Sequence, residues 1–137
     1  MKASLALLAV AASAAAFAGQ AVAGSNVGIT IRHQVVGCHS WAVGNGPYKP
    51  TQTLSIMRGT SLTFTDNDVM PHTIVQLSGP KLAIQGARLA KMGAHTVVVL
   101  GKPGTYVFGT KVGEDYTKGV VTKGEDNVLR LVVTVKK

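Results

Sequence analysis

Apolar and polar residues alternate with period two from Val27 onward. Val27, Ile29, Ile31, His33 and Val35 alternate with Gly28, Thr30, Arg32 and Gln34. This predicts a half-buried strand with His33 on its core side, within the core and below the rim. Leu54 and Ile56 mark a second strand. Arg58-Gly59-Thr60 turns into a third, in which Leu62 and Phe64 alternate with Ser61, Thr63 and Thr65. Thr73 to Leu77 predicts a fourth, broken by Ser78-Gly79-Pro80. Thr96 to Leu100 reads as a fifth. Lys102-Pro103-Gly104 reads as a hairpin turn into a sixth strand carrying Tyr106 and Phe108, and Val128 to Val135 closes the sheet. The Gly- and Pro-rich stretch from Ala42 to Pro50 and the segment 109–127 are expected loops, and the mixed pattern from Leu82 to Met92 fits a helical turn or a loop. About seven short strands with regular turn signals predict an all-β, Greek-key β-sandwich.

The first residues follow a different pattern. Lys2 precedes an Ala/Leu-rich apolar run from Leu5 to Phe17, and Ala21-Val22-Ala23 has the small-residue form of a cleavage site. Residues 1–23 are therefore expected to be a signal peptide, with the mature chain starting at Gly24 and exported to the periplasm or beyond. The run is short for a membrane span, and no later stretch is long and apolar enough to cross a bilayer as a helix. Residues 24–137 suffice for one hydrophobic core and are too few for two domains. The chain carries a formal charge of +8, from 14 Lys and Arg against 6 Asp and Glu. The acids cluster at Asp66 and Asp68 and again at Glu114, Asp115, Glu125 and Asp126, whereas the bases are scattered without aromatic interleaving. That balance favours an acidic protein partner or an anionic surface over nucleic acid, and simple solubility accounts for it equally.

Two stretches carry candidate chemistry. Cys38 is the sole cysteine, so no disulfide can form within the chain. A lone thiol in an oxidising compartment is a liability unless buried or ligated. It sits in Gly37-Cys38-His39, an expected turn, where a buried, inert thiol is the structural alternative. The other stretch is Phe64-Thr65-Asp66-Asn67-Asp68-Val69-Met70-Pro71-His72-Thr73. A strand ends in a polar turn, Pro71 fixes its own φ and biases Met70 toward an extended conformation, and His72 opens the next strand. A rigid turn thus presents one imidazole at the rim of a β-core, as a metal ligand requires. A rim histidine that only packs and hydrogen-bonds would look the same.

This second stretch resembles the cupredoxins, the blue-copper β-sandwich proteins, in which an Asn/Asp-rich turn and a Pro-His-Thr-like motif supply the first copper-binding histidine. Gly104-Thr105-Tyr106-Val107-Phe108 is similar to the family's last core strand, and the resemblance spans roughly residues 51–110. It implies a cupredoxin-like sandwich, copper as cofactor and His72 as first ligand. It departs from the family after Phe108: the expected copper cysteine is absent from Gly109-Thr110-Lys111, and Val112 to Asn127 holds neither His nor Met. The implied fold gathers Cys38, His39, Met70, His72, Met92 and His95 at one end of the sandwich. Thiolate, imidazole and thioether donors suit copper, Cu(I) above all, although zinc also accepts Cys and His. The resulting expected metal ligands are Cys38, His39, His72 and Met92. Cys38 takes the place of the missing thiolate and Met92 that of a weak axial thioether. Met70, His95 and Glu114 are further candidates, and His33 is assigned a structural, hydrogen-bonded role.

The function implied is an exported copper-binding protein that carries electrons through a non-standard Cys/His site and docks an acidic redox or copper-exchange partner. The missing loop ligands favour instead periplasmic Cu(I) handling or resistance. A metal-free β-sandwich interaction module is the alternative of a different class. No Ser/His/Asp pattern, HExxH or phosphate loop supports an enzyme.

Overall fold

The computed structural model describes residues 24–33, 39–111 and 129–137. Within them the chain forms nine strands and no helix: β1 (Asn26–His33), β2 (His39–Val43), β3 (Thr51–Met57), β4 (Ser61–Asp66), β5 (His72–Ser78), β6 (Arg88–Leu89), β7 (His95–Val99), β8 (Gly104–Thr110) and β9 (Arg130–Lys136). The two strands beyond the expected seven are β2 and β6. The sequence around β2 reads as a turn and a loop because Ser40-Trp41-Ala42 has no alternation; all three residues are buried. Strand β6 is a two-residue pairing of Leu89 and Arg88 with His72 and Thr73, and the rest of the 82–92 stretch is the loop of the two expected alternatives, with a turn at 85–86 and no helix.

Two sheets stack into a sandwich. One has the order β2-β1-β4-β7 and the other β3-β9-β8-β5-β6. The pairs β1/β4 and β3/β9 are parallel and the remaining pairs antiparallel. Lys102-Pro103 is not a hairpin turn. Strands β7 and β8 lie in different sheets, so this connection crosses from one layer to the other.

Alternation explains the core. Ile29 and Ile31 of β1, Leu62 and Phe64 of β4, and Val98 of β7 point inward from the first sheet. They meet Tyr106 and Phe108 of β8 and Leu131, Val133 and Val135 of β9. Each such side chain contributes roughly 1.5–3 kcal/mol when fully buried. Trp41, Phe64 and Phe108 pack in series, with ring centroids 6.3 and 5.4 Å apart.

The topology also decides what meets at one rim. Strands β1 and β4 are parallel and end on the same side. Strands β2 and β7 run antiparallel to them and begin there. His33, His39, Asp66 and His95 are therefore brought to one rim. In the facing sheet His72 opens β5, and its Nε2 lies 3.2 Å from Asp68 Oδ2 just beyond β4, so His72 belongs to the same end.

Candidate metal centre

The turn between β4 and β5 is built from its own carboxylates. Asp66 Oδ1 accepts the Asp68 N–H at 2.9 Å, and Asp68 Oδ1 accepts the Met70 N–H at 3.2 Å. These side chains stand in for turn hydrogen bonds, which is why Asp recurs here. Backbone bonds pin the turn on two sides, from Asn67 N–H to Ile31 O (2.9 Å) and from Asp66 N–H to Ala94 O (2.9 Å). Pro71, with no N–H to place, then leads into His72.

Asp68 is the centre of the arrangement. Its Oδ2 lies 3.0 Å from His39 Nδ1 and 3.2 Å from His72 Nε2, and all three side chains are essentially buried. Burial tends to raise the Asp68 carboxyl. The Met70 N–H, the two histidine donors and the charge of His39 when protonated outweigh burial and hold it below its ordinary value of 3.8. The carboxylate is thus ionised at neutral pH and can only accept, so both facing ring nitrogens carry the proton. In a neutral ring this makes Nε2 of His39 and Nδ1 of His72 the nitrogens with metal-binding lone pairs. A carboxylate–histidine pairing of this kind orients metal ligands and raises their basicity.

A third imidazole joins them. The rings of His39 and His72 meet edge to face at 4.9 Å, and those of His33 and His39 at 5.7 Å. His33, His39 and Asp68 each offer a donor atom, and these atoms lie within 4.8 Å of one another. An open cavity of about 280 Å³ adjoins them, lined by Arg32, His33, Asn67, Asp68, Val69, Met70 and Met92.

The residues singled out from the sequence fall into three groups. His39 and His72 converge on Asp68. Met92 is exposed and lines the cavity with half-buried Met70, beside the cluster. His95 is exposed on β7 opposite Thr65, outside the His33–His39–Asp68 group. Cys38 and Glu114 lie outside the described residues. The position expected of His33, within the core below the rim, needs correction. Its face is the inward one shared with Ile29 and Ile31, but β1 outruns the core, so the side chain is exposed at the rim. Alternation gives the face of a strand residue and not where the opposing layer stops. Asp68, which the sequence marks only as a turn residue, organises the site; its spacing of four from His72 was the available signal. At Gly109, near where the cupredoxin resemblance puts a copper cysteine, an added Cβ would stand 2.8 Å from the backbone oxygen of Leu129 and 3.1 Å from Leu77 Cδ1. A side chain there has no room without a shift.

No family model matches this chain, and no curated protein matches it. Solved structures do. A purple cupredoxin from Nitrosopumilus maritimus shares 22% identity over 80% of this chain and 98% of its own, with a TM-score of 0.46. Amicyanin from Paracoccus versutus shares 17% over 87% of each chain, again with a TM-score of 0.46. A variant of the multicopper oxidase McoA from Aquifex aeolicus superposes with a TM-score of 0.54 at 15% identity, over 84% of this chain. The fold is cupredoxin-like. The cupredoxin-like chain covers 27% of the oxidase, so the likeness is to one stretch of that larger protein.

The chemistry and spacing of the donor set can be set against what copper requires. Ligands trans to one another across a metal at about 2.0–2.1 Å are about 4 Å apart. Donor atoms within 4.8 Å therefore need to close by less than about 1 Å. Imidazole nitrogens and one carboxylate suit copper or zinc, and raw affinity for such a site favours copper. His33, His39 and Asp68 fit the ion, and His72 is tied to them through Asp68.

Proposed function

We propose that this is an exported, copper-binding, cupredoxin-like protein that carries single electrons. The observation that carries the reading is the buried Asp68 carboxylate holding both His39 and His72 at one end of the sandwich. Cys38 is the residue before His39 in the chain and the sole thiol. In this reading Cys38, His39 and His72 hold the ion and Met92 supplies a weak axial thioether. Asp68 fixes the imidazoles, so the site changes little between redox states. Bound copper would supply a one-electron Cu(I)/Cu(II) couple. The protein's positive charge attracts an acidic redox or copper-exchange partner. Its association rate with such a partner should fall steeply from low to high ionic strength, and a rate indifferent to salt would remove the charge argument.

Anaerobic copper titration followed by absorption tests the reading. One equivalent should bind and, on oxidation, give an intense visible thiolate-to-copper band. Cys38→Ser should abolish the band and weaken Cu(I) binding by more than the roughly 10–100-fold typical of losing an outer-shell partner. His72→Ala should weaken binding and leave thiolate character. An unchanged spectrum and affinity in Cys38→Ser would exclude the thiolate. A second reading, Cu(I) handling, is favoured by Met70 and Met92 lining the open cavity beside the cluster, since thioethers select Cu(I). It predicts a colourless Cu(I)-only complex. Absence of any copper binding would leave a metal-free interaction module.

A further inference from the structure

We infer that His33 is a metal ligand, and that His33, His39 and Asp68 form a nitrogen–oxygen site for a divalent ion that does not need Cys38. The inference rests on the copper reading above for the identity of the ion, not for the ligands.

Strand pairing places the two imidazoles. His33 and His39 are directly opposite in the antiparallel β1/β2 register, and residues so paired project from the same face. Their rings are 5.7 Å apart at 72°, edge to face, and their donor atoms lie within 4.8 Å of each other and of Asp68. A purely structural network explains His39 and His72, both buried against Asp68. It does not explain His33, which is exposed and gains little from packing. Two imidazoles held this close repel when both are protonated. A shared cation turns the same proximity into attraction.

Charge and access agree. One carboxylate and two neutral imidazoles form a borderline-hard set, which suits Cu(II) and Zn(II) better than Cu(I), with Cu(II) first in intrinsic affinity. The cavity of about 280 Å³ opens beside His33 and Asp68, giving an ion a route in and room for water in its remaining positions. His39 Nδ1 and Asp68 Oδ2, 3.0 Å apart, already stand at the spacing of neighbouring ligands; binding would move the His39 ring proton from Nδ1 to Nε2, and exposed His33 must turn toward the ion. The oxidised ion then has nitrogen and oxygen donors beside the softer Met70 and Met92, and His39 is common to this set and to that of the copper reading.

The test uses the exported chain in a Cys38→Ser background, which removes thiol reduction of Cu(II). Calorimetry and electron paramagnetic resonance follow Cu(II), and Co(II) serves as a second probe whose visible bands report coordination. Cys38→Ser should still bind one Cu(II), more weakly than wild type for want of the thiolate, and show nitrogen hyperfine structure. Cys38→Ser/His33→Ala should lose affinity beyond the roughly 10–100-fold of an outer-shell change. His33 is exposed, so the ion-free double variant should unfold at the same denaturant midpoint as its parent. Cys38→Ser/His95→Ala, altered at an exposed histidine outside the group, should bind as its parent does. Equal binding of both ions with and without His33 would overturn the inference and leave the copper reading standing. Loss of all Cu(II) binding in Cys38→Ser itself would also overturn it, with a thiolate-dependent site retained. Binding of Co(II) through His33 by a wild-type protein that takes no copper would uphold the site and sink the copper reading. Binding of neither ion by wild type would end both.

Discussion

Asp68→Ala should destabilise the metal-free protein by about 3–5 kcal/mol, the usual cost of removing one partner from a buried charged network. The carboxylate is buried and receives the ring N–H groups of His39 and His72 and the Met70 N–H. Removing it strands two buried imidazoles and opens the turn that places His72. Denaturant midpoints measure the loss, and copper titration should show the site lost with it. Set against the 5–15 kcal/mol of a typical domain, this is a large fraction. The effect has a pH signature. The folded carboxyl lies below its ordinary value of 3.8, so the unfolded chain binds more protons in the acid range. Stability from Asp68 is complete above about pH 5, where the unfolded carboxyl is also ionised, and is lost as pH falls through 3.8 and then through the lower folded value. Wild type should lose stability more steeply than Asp68→Asn in this window. Parallel curves would show that Asp68 is not the titrating group.

Gly79→Ala should be comparably damaging, for a reason unrelated to the site. Gly79 follows β5 just after the register shift between Gln76 and Ser78, and has φ of +108°. That backbone region is strained for any residue with a side chain, at about 1–3 kcal/mol. An added Cβ would also stand 2.6 Å from Thr105 O and 2.8 Å from Tyr106 Cα. Both atoms are backbone of β8, the strand that carries Tyr106 and Phe108 into the core, so no side-chain rotation relieves the overlap. Displacing β8 adds about 1–3 kcal/mol of overpacking, for a total of about 2–6 kcal/mol. Gly59→Ala is the control. Gly59 also has positive φ, +87°, but its Cβ would meet nothing within 4 Å, so only the strain should appear. Equal losses for the two variants would show that close packing on β8 adds nothing.

Period-two alternation marked most of the strands because a strand buried on one face must alternate. Ile29, Ile31, Leu62 and Phe64 are buried where that pattern puts them. It missed β2 because Ser40, Trp41 and Ala42 are buried in succession, which removes the alternation that marks a strand. It missed β6 because two residues are too few to show a period. The turn 66–71 was legible as a rigid presenter of His72, since Asp, Asn and Pro each carry a local conformational preference.

Local chemistry could say that His72 opens a strand, that His39 follows the sole cysteine and that His33 shares a face with Ile29 and Ile31. Whether these residues meet depends on which strands are neighbours and in which direction they run. Parallel β1/β4 and antiparallel β1/β2 pairing brings their ends to one rim. Asp68 then joins imidazoles whose positions are 29 and 4 residues away in the chain. A period in sequence encodes the face a side chain takes. The distance between faces, and the place where one layer outruns the other and leaves His33 exposed, exist only once the two sheets are stacked.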